Sequence, residues 1–135
     1  MKYALRREIR DLALVGGGAI PGALLRWRLE SLGSLLPSSL QAVLGSHGLA
    51  NMIGCLVIGL VLARPAGRPR LTLAVGIGFC GALTTFSSWM LDLVRALDSR
   101  QLGTVSAVLV VSLAGGLGLV SLGYALGQGA EGRRG

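Results

Sequence analysis

Charge is scarce in this sequence. Only 14% of its 135 residues are Asp, Glu, Lys or Arg, where a soluble domain carries roughly a quarter to keep its surface wet. Three windows, 31–63, 71–91 and 101–130, have no charged residue at all if His47 is neutral. That scarcity excludes an ordinary soluble fold. A single histidine excludes a His-rich metal site. The two cysteines, Cys55 and Cys80, both fall inside apolar runs and read as packing residues, not as a disulfide or a metal pair. Carboxylates are missing from the apolar runs: Glu8, Asp11, Glu30, Asp92, Asp98 and Glu131 all fall near run ends. With no base beside a Ser or Cys and no intramembrane acid, the sequence argues against an enzyme and against a proton-coupled pump.

What is there is apolar and long. A spanning helix needs about 20 apolar residues to cross about 30 Å of hydrocarbon, and helices satisfy their own backbone there. The windows predict an all-α membrane protein with four transmembrane helices at 11–30, 44–63, 71–97 and 101–127. These form one transmembrane domain, 11–128, between a basic lead-in (1–10) and a tail (129–135). Helix 1 is the weakest span, because its apolar run ends at Arg26, Trp27 and Arg28. The basic start does not read as a cleaved signal, since Glu8 and Asp11 interrupt it. The net charge of +7 would suggest nucleic acid in a soluble chain. Beside apolar spans it marks contact with lipid headgroups and the cytoplasmic face instead, with no nucleic acid partner.

Local signals refine this layout. Gly18 and Gly22 give helix 1 a smooth face for close contact, and Pro21 is expected to kink it. Gly, Pro and Ser at 33–39 read as the first loop, and the prolines and arginines of 64–70 as the second. Helix 2 carries the polar residues Ser46, His47 and Asn51. An unbroken third helix over 71–97 would be about 40 Å long, longer than the hydrocarbon, so tilt or a break is expected. Nine basic residues (Lys2, Arg6, Arg7, Arg10, Arg64, Arg68, Arg70, Arg133, Arg134) fall on one side of a four-span layout and four (Arg26, Arg28, Arg95, Arg100) on the other. That bias puts both termini in the cytoplasm.

Uncharged polar residues at membrane depth are the remaining candidates: Asn51, Thr84, Thr85, Ser87, Ser88 and Ser112. The plain reading is that each bonds to backbone and contributes about 1 kcal/mol or less. Yet four of the five residues 84–88 carry a hydroxyl, and the fifth is Phe86. Hydroxyls after glycines weaken a helix there, and carbonyls freed at such a break can hold a cation. Asn51 offers two amide donors and no charge, which suits an anion that must shed water without being trapped. Phe86 presents an electropositive ring edge that can serve the same end, although periodicity alone favours simple packing.

Three motifs carry a resemblance. Gly22-Ala-Leu-Leu-Arg26-Trp27, the Asn51-to-Gly59 segment with Gly54 inside it, and Gly78-Phe-Cys-Gly81-Ala-Leu-Thr84-Thr85-Phe86-Ser87 resemble, in chain order, the motifs of the Fluc fluoride channels, also called CrcB. The resemblance covers most of the chain. It implies a fluoride-selective channel subunit in the cell membrane, multi-pass, that passively exports cytoplasmic fluoride after its entry as neutral HF. It implies an inverted dimer with two pores and a third helix broken at its centre. Asn51, Phe86, Trp89, Ser87, Ser88, Thr85 and Ser112 would line the fluoride path. Backbone carbonyls of Gly81 and Thr84 would hold a structural sodium, and Arg26 would stand near the vestibule or anchor helix 1.

The sequence departs from that family pattern at three positions. Trp89 replaces the second pore Phe, His47 replaces a Thr four residues before Asn51, and Val108 replaces a Tyr four residues before Ser112. Either one pore is altered or a partner chain supplies the missing groups. The unequal charge flanks suggest a chain that inserts one way and pairs with an oppositely inserted homologue, although a homodimer stays open. Two other readings remain. A four-helix multidrug-type exporter would rely on a membrane-buried Glu in helix 1, where the only Glu is Glu30 at its end. A non-transporting assembly subunit would need neither Asn51 nor a polar break.

Overall fold

A computed structural model describes residues 2–33, 35–44, 47–64 and 68–132. Ser34, Ser46, residues 65–67 of the second expected loop, and Arg133 and Arg134 of the tail lie outside them. The described residues form helices and no strand. Their order is α1 (Lys2–Gly33), α2 (Ser38–Leu44), α3 (Gly48–Leu62), α4 (Pro69–Leu71), a π-helical stretch (Thr72–Cys80), α5 (Gly81–Leu83), α6 (Phe86–Asp98) and α7 (Leu102–Gly132).

Several boundaries differ from the sequence expectation, each for a local reason. The basic lead-in is not separate, because α1 runs unbroken from Lys2. Residues 2–15 contain no Gly or Pro, and Ala4, Leu5, Arg6, Arg7 and Glu8 are mostly strong helix formers. The first loop is shorter than 33–39 because Pro37 opens a helix instead of prolonging a coil. Its carbonyl accepts from the N–H groups of Leu40 and Gln41 at 2.9 and 3.0 Å, a position where the missing proline N–H costs nothing. α2 thus takes the first residue of the expected second span, and α3 begins at Gly48. The α6–α7 turn closes on Arg100, with φ of 53°. Arg100 N–H donates to Leu97 O at 2.9 Å and Gln101 N–H to Ala96 O at 3.0 Å, the paired bonds of a Schellman helix end.

Close backbone crossings hold the helices together. α1 lies along the π-helical stretch and α3 along α7. A Cβ at Gly22 would overlap the Phe79 carbonyl, and one at Gly18 the Ala74 carbonyl. Gly59 and Gly123 do the same for the α3–α7 seam, against the Val120 and Leu56 carbonyls. Such crossings let polarisable backbones meet directly, which is how membrane helices associate without a hydrophobic drive between them. The side-chain core is correspondingly small: Leu29, Ala50 and Leu83, with Leu25, Ile53 and Phe79 packed against it.

The outer faces decide the environment. Among the described residues two stretches are long and apolar enough to cross a bilayer, Pro69–Asp98 and Leu102–Ala130, and they bury only 17% and 11% of their most apolar windows. Leu117, Leu113, Val110 and Ile77 are all more than half exposed. Apolar helices uncovered to that extent need lipid or a partner around them. The chain is an all-α membrane protein.

The crossing geometry makes a testable distinction between two glycines of one helix. Gly22→Ala should destabilise the protein by roughly 1–3 kcal/mol, the cost of overpacking against a fixed carbonyl. Gly17→Ala, with open space around the new methyl, should leave stability unchanged or slightly raised. Unfolding titrations in detergent micelles with added SDS would measure both.

Candidate functional site

The site grows from two residues that leave the helix. Thr84 (φ −82°, ψ 154°) and Thr85 (φ −144°, ψ 122°) are extended between α5 and α6. Their side chains explain why the helix stops here. Thr84 sends both its N–H and its hydroxyl to the Cys80 carbonyl, at 3.0 and 2.9 Å, so α5 closes on itself. Thr85 is the N-cap of α6: its Oγ1 accepts from the Ser88 N–H at 3.4 Å and donates to Ser88 Oγ at 3.2 Å. Ser87 Oγ lies 3.3 Å from the same oxygen.

An extended residue at membrane depth must have its own N–H and C=O satisfied. Asn51 of α3 satisfies both. Its Oδ1 accepts from the Thr85 N–H at 2.8 Å, and its Nδ2 donates to the Thr85 carbonyl at 3.2 Å. One side-chain amide thus pairs with one residue's backbone as a neighbouring strand would. The two bonds also fix the amide's orientation, since a flip would set N–H against N–H. One Nδ2 hydrogen is used and the other is not spent on Thr85. Gly54, one turn along α3, leaves room for the Thr84 methyl, which a Cβ there would overlap.

The break also changes two carbonyls. In a continuous α-helix the Gly81 carbonyl would accept from Thr85 N–H and the Thr84 carbonyl from Ser88 N–H. Here Thr85 N–H is turned to Asn51 and Ser88 N–H to Thr85 Oγ1. Both carbonyls lose their helical donors. Nothing lies within 4 Å of where a Gly81 Cβ would be.

Beside the break is a cavity of about 370 Å³. Asn51, Thr84, Thr85, Phe86, Trp89 and Ser112 line it, with Met52, Cys55 and Leu113 supplying apolar wall. Among the described residues no charged one lines it. The Phe86 and Trp89 ring centroids are 5.6 Å apart and tilted by 43°, within the range of favourable aromatic pairs. Phe86 is 73% exposed. Trp89 Nε1 donates to Ser112 Oγ at 2.9 Å, joining α6 to α7.

The structure therefore gathers Asn51, Thr85, Phe86, Trp89 and Ser112 from three helices into one cavity. Ser87 and Ser88 stand outside its lining and serve the α6 cap. Arg26 is also outside. Its Nε is 3.7 Å from Glu30 Oε1 on the same helix, and that oxygen is 3.0 Å from His47 Nδ1, off the line of a good hydrogen bond. This group links α1 to the entry of α3. Sequence reasoning did not single out Met52 or Cys55 as lining, although a signal existed: Gly48, Asn51, Met52 and Cys55 follow the i, i+3, i+4, i+7 spacing of one helix face.

Residues 13–124 match the family described as CrcB-like protein, Camphor Resistance (CrcB). Among similar proteins is the "Fluoride-specific ion channel FluC 2" of Parasynechococcus marenigrum (strain WH8102), 42% identical over 125 residues, covering 92% of this chain and 86% of the relative. The same organism's "Fluoride-specific ion channel FluC 1" is 36% identical over 121 residues, covering 87% and 93%. The "Fluoride-specific ion channel FluC" of Stutzerimonas stutzeri (strain A1501) is 40% identical over 125 residues, covering 89% and 98%.

The chain belongs to the CrcB family.

Within the CrcB frame, the three departures read from the sequence now have places. Trp89 lines the cavity, His47 faces Glu30, and Val108 is buried at 3% exposure, outside the lining. Only the first touches the candidate site.

The Asn51–Thr85 pairing predicts an order of costs. Thr85→Val removes the α6 cap but keeps the Thr85 peptide on Asn51, and should cost about 0.5–2 kcal/mol. Asn51→Leu leaves the part-buried Thr85 N–H and C=O unpaired, at up to about 1–3 kcal/mol for each group. SDS unfolding midpoints should fall further for Asn51→Leu than for Thr85→Val.

Proposed function

We propose that this chain is a subunit of a fluoride-selective channel in the cell membrane, through which cytoplasmic fluoride leaves down its own gradient. The observation that carries the proposal is the Asn51 amide. It is neutral, fixed by two hydrogen bonds, and lines the cavity with one N–H still to give. A dehydrated anion gains a donor there without meeting a fixed positive charge that would hold it. The paired rings of Phe86 and Trp89 add electropositive edges to the same wall, and Ser112 adds a hydroxyl. The names of the curated relatives support fluoride as the ion. Nothing in this role requires bond chemistry, and the chain is a channel subunit, not an enzyme.

The third membrane crossing, in this reading, is one helix broken at Thr84–Thr85. Two copies of opposite orientation, or this chain and an oppositely inserted homologue, would assemble along the face that carries Gly81 and the exposed Phe86. The presence of both a FluC 1 and a FluC 2 in one relative's organism favours a heteromeric pair. Among the described residues no group of three His, Cys, Asp or Glu could hold a metal. A structural sodium would rest instead on the carbonyls of Gly81 and Thr84, which have lost their helical donors. Neutral backbone oxygen suits a hard monovalent cation at a helix break, and the ion would supply positive charge near the subunit contact.

Fluoride efflux from liposomes containing the purified protein tests the function. Fluoride should leave far faster than chloride. Asn51→Asp should abolish flux in protein that still elutes as a single species, because a carboxylate faces the anion path. Unchanged flux would remove Asn51 from the site. If the single chain is silent and a co-reconstituted homologue restores flux, the pairing is heteromeric. Equal insertion of the lone chain in both orientations would count against that pairing.

A further inference from the structure

Trp89 offers more than the ring edge that a phenylalanine would give. Its indole Nε1–H is a donor only, and it ends on Ser112 Oγ at 2.9 Å. Ser112 must therefore accept in this bond, which leaves its own hydroxyl hydrogen unspent. The other two α7 serines behave differently. Ser106 donates back to the Leu102 carbonyl and Ser121 to the Leu117 carbonyl, both at 2.9 Å. That back-bond is the usual refuge of a serine hydroxyl inside a helix. Among the described residues Ser112 makes no such bond to the Val108 carbonyl; Trp89 is its partner.

We propose that Trp89 is a positioning residue for ion selection: its indole N–H occupies the Ser112 oxygen and turns the Ser112 hydroxyl into a donor toward the anion in the cavity. The proposal rests on the fluoride-channel reading and names a selectivity device within it. Both residues line the cavity, and among the described residues no lining group carries a positive charge. An anion there must be held by neutral donors, and the Asn51 N–H from α3 is one. Ser112 adds a second, from α7. A small, hard anion accepts short, strong hydrogen bonds from such groups, whereas a larger halide spreads its charge and gains less. Two oriented neutral donors therefore favour fluoride over chloride, and a hydroxyl that folds back onto its own helix would forfeit half of that preference.

The test uses the full chain, reconstituted with a homologous partner if flux requires one. Trp89→Phe keeps an aromatic edge and deletes the N–H. Ser112→Ala deletes the hydroxyl and keeps Trp89. Each should lower fluoride flux by about tenfold, the effect of one hydrogen bond to an ion, and should lower the fluoride-to-chloride ratio. The double variant should be no slower than either single one. Losses that multiply would overturn the proposal, since the two residues would then act separately. The indole ¹⁵N–¹H resonance in micelles gives a readout independent of flux. There are two tryptophans, Trp27 and Trp89, so Trp89→Phe assigns the signal. That resonance should move on Ser112→Ala, and on addition of sodium fluoride but not of sodium chloride. Its response to fluoride should vanish in Ser112→Ala. A Trp89 signal indifferent to Ser112→Ala or to fluoride would overturn the proposal and leave the channel reading standing. A signal that responds as expected in a protein with no fluoride flux would support the Trp89–Ser112 device and overturn the channel reading.

Discussion

The pairing of one side-chain amide with one residue's backbone governs the middle of this molecule. Thr85 is extended in the middle of an apolar stretch long enough to cross a bilayer, where its N–H and C=O need partners from the protein. Left alone, each group would cost a few kcal/mol. Asn51 reaches across from α3 and takes both. With that pairing in place the helix can stop after Leu83 and restart at Phe86. The restart presents Phe86 and Trp89 to the cavity. The stop strips the Gly81 and Thr84 carbonyls of their helical donors. Without the amide, the Thr85 N–H and C=O would stand unpaired and the break would lose what holds it to α3.

The same bonds shape what Asn51 can do for a ligand. A free asparagine side chain rotates, and its donors must be ordered before they can bind anything. Here two hydrogen bonds have already fixed it, so the remaining N–H is oriented in advance. Neutrality matters equally. An arginine would bind an anion more tightly, but a conducting site must also let go. Arg26, the arginine of the first motif, is instead engaged with Glu30 and lies outside the cavity lining.

How much of this was legible in the sequence follows from the range of each interaction. The weakening of the helix at 84–88 was legible because its bonds are local: the Thr84 hydroxyl reaches Cys80 and the Thr85 hydroxyl reaches Ser88, over four residues or fewer. Asn51 stood out as a polar residue at depth, but its partner, 34 positions away, depends on how α3 lies against the break. The start of α2 at Ser38 was misread because Pro37 in a Gly/Ser/Pro stretch looks like loop, while the same residue also opens helices. The π-helical winding of Thr72–Cys80 leaves no periodic mark, since apolar residues surround it on every face. Trp89 was read as a departure from a family pattern. Its bond to Ser112 is a tertiary fact that no spacing encodes.

The glycine seams explain why so delicate a break can persist. Between α1 and the π-helical stretch, and between α3 and α7, backbones meet at Gly18, Gly22, Gly59 and Gly123 with no side chain between them. Such contacts leave little freedom to slide. The break follows directly from the first seam, through the π-helical stretch and α5, and is pinned to the second through Asn51 on α3. The cavity is then bounded by α3 and α7, which the second seam locks, and by the start of α6, which Asn51 and the Thr85 cap hold. Rigidity comes from the seams and polarity from the break. Spreading either along the whole helix would not serve: glycines throughout would loosen α6, and hydroxyls throughout would leave more polar groups in lipid than Asn51 could satisfy.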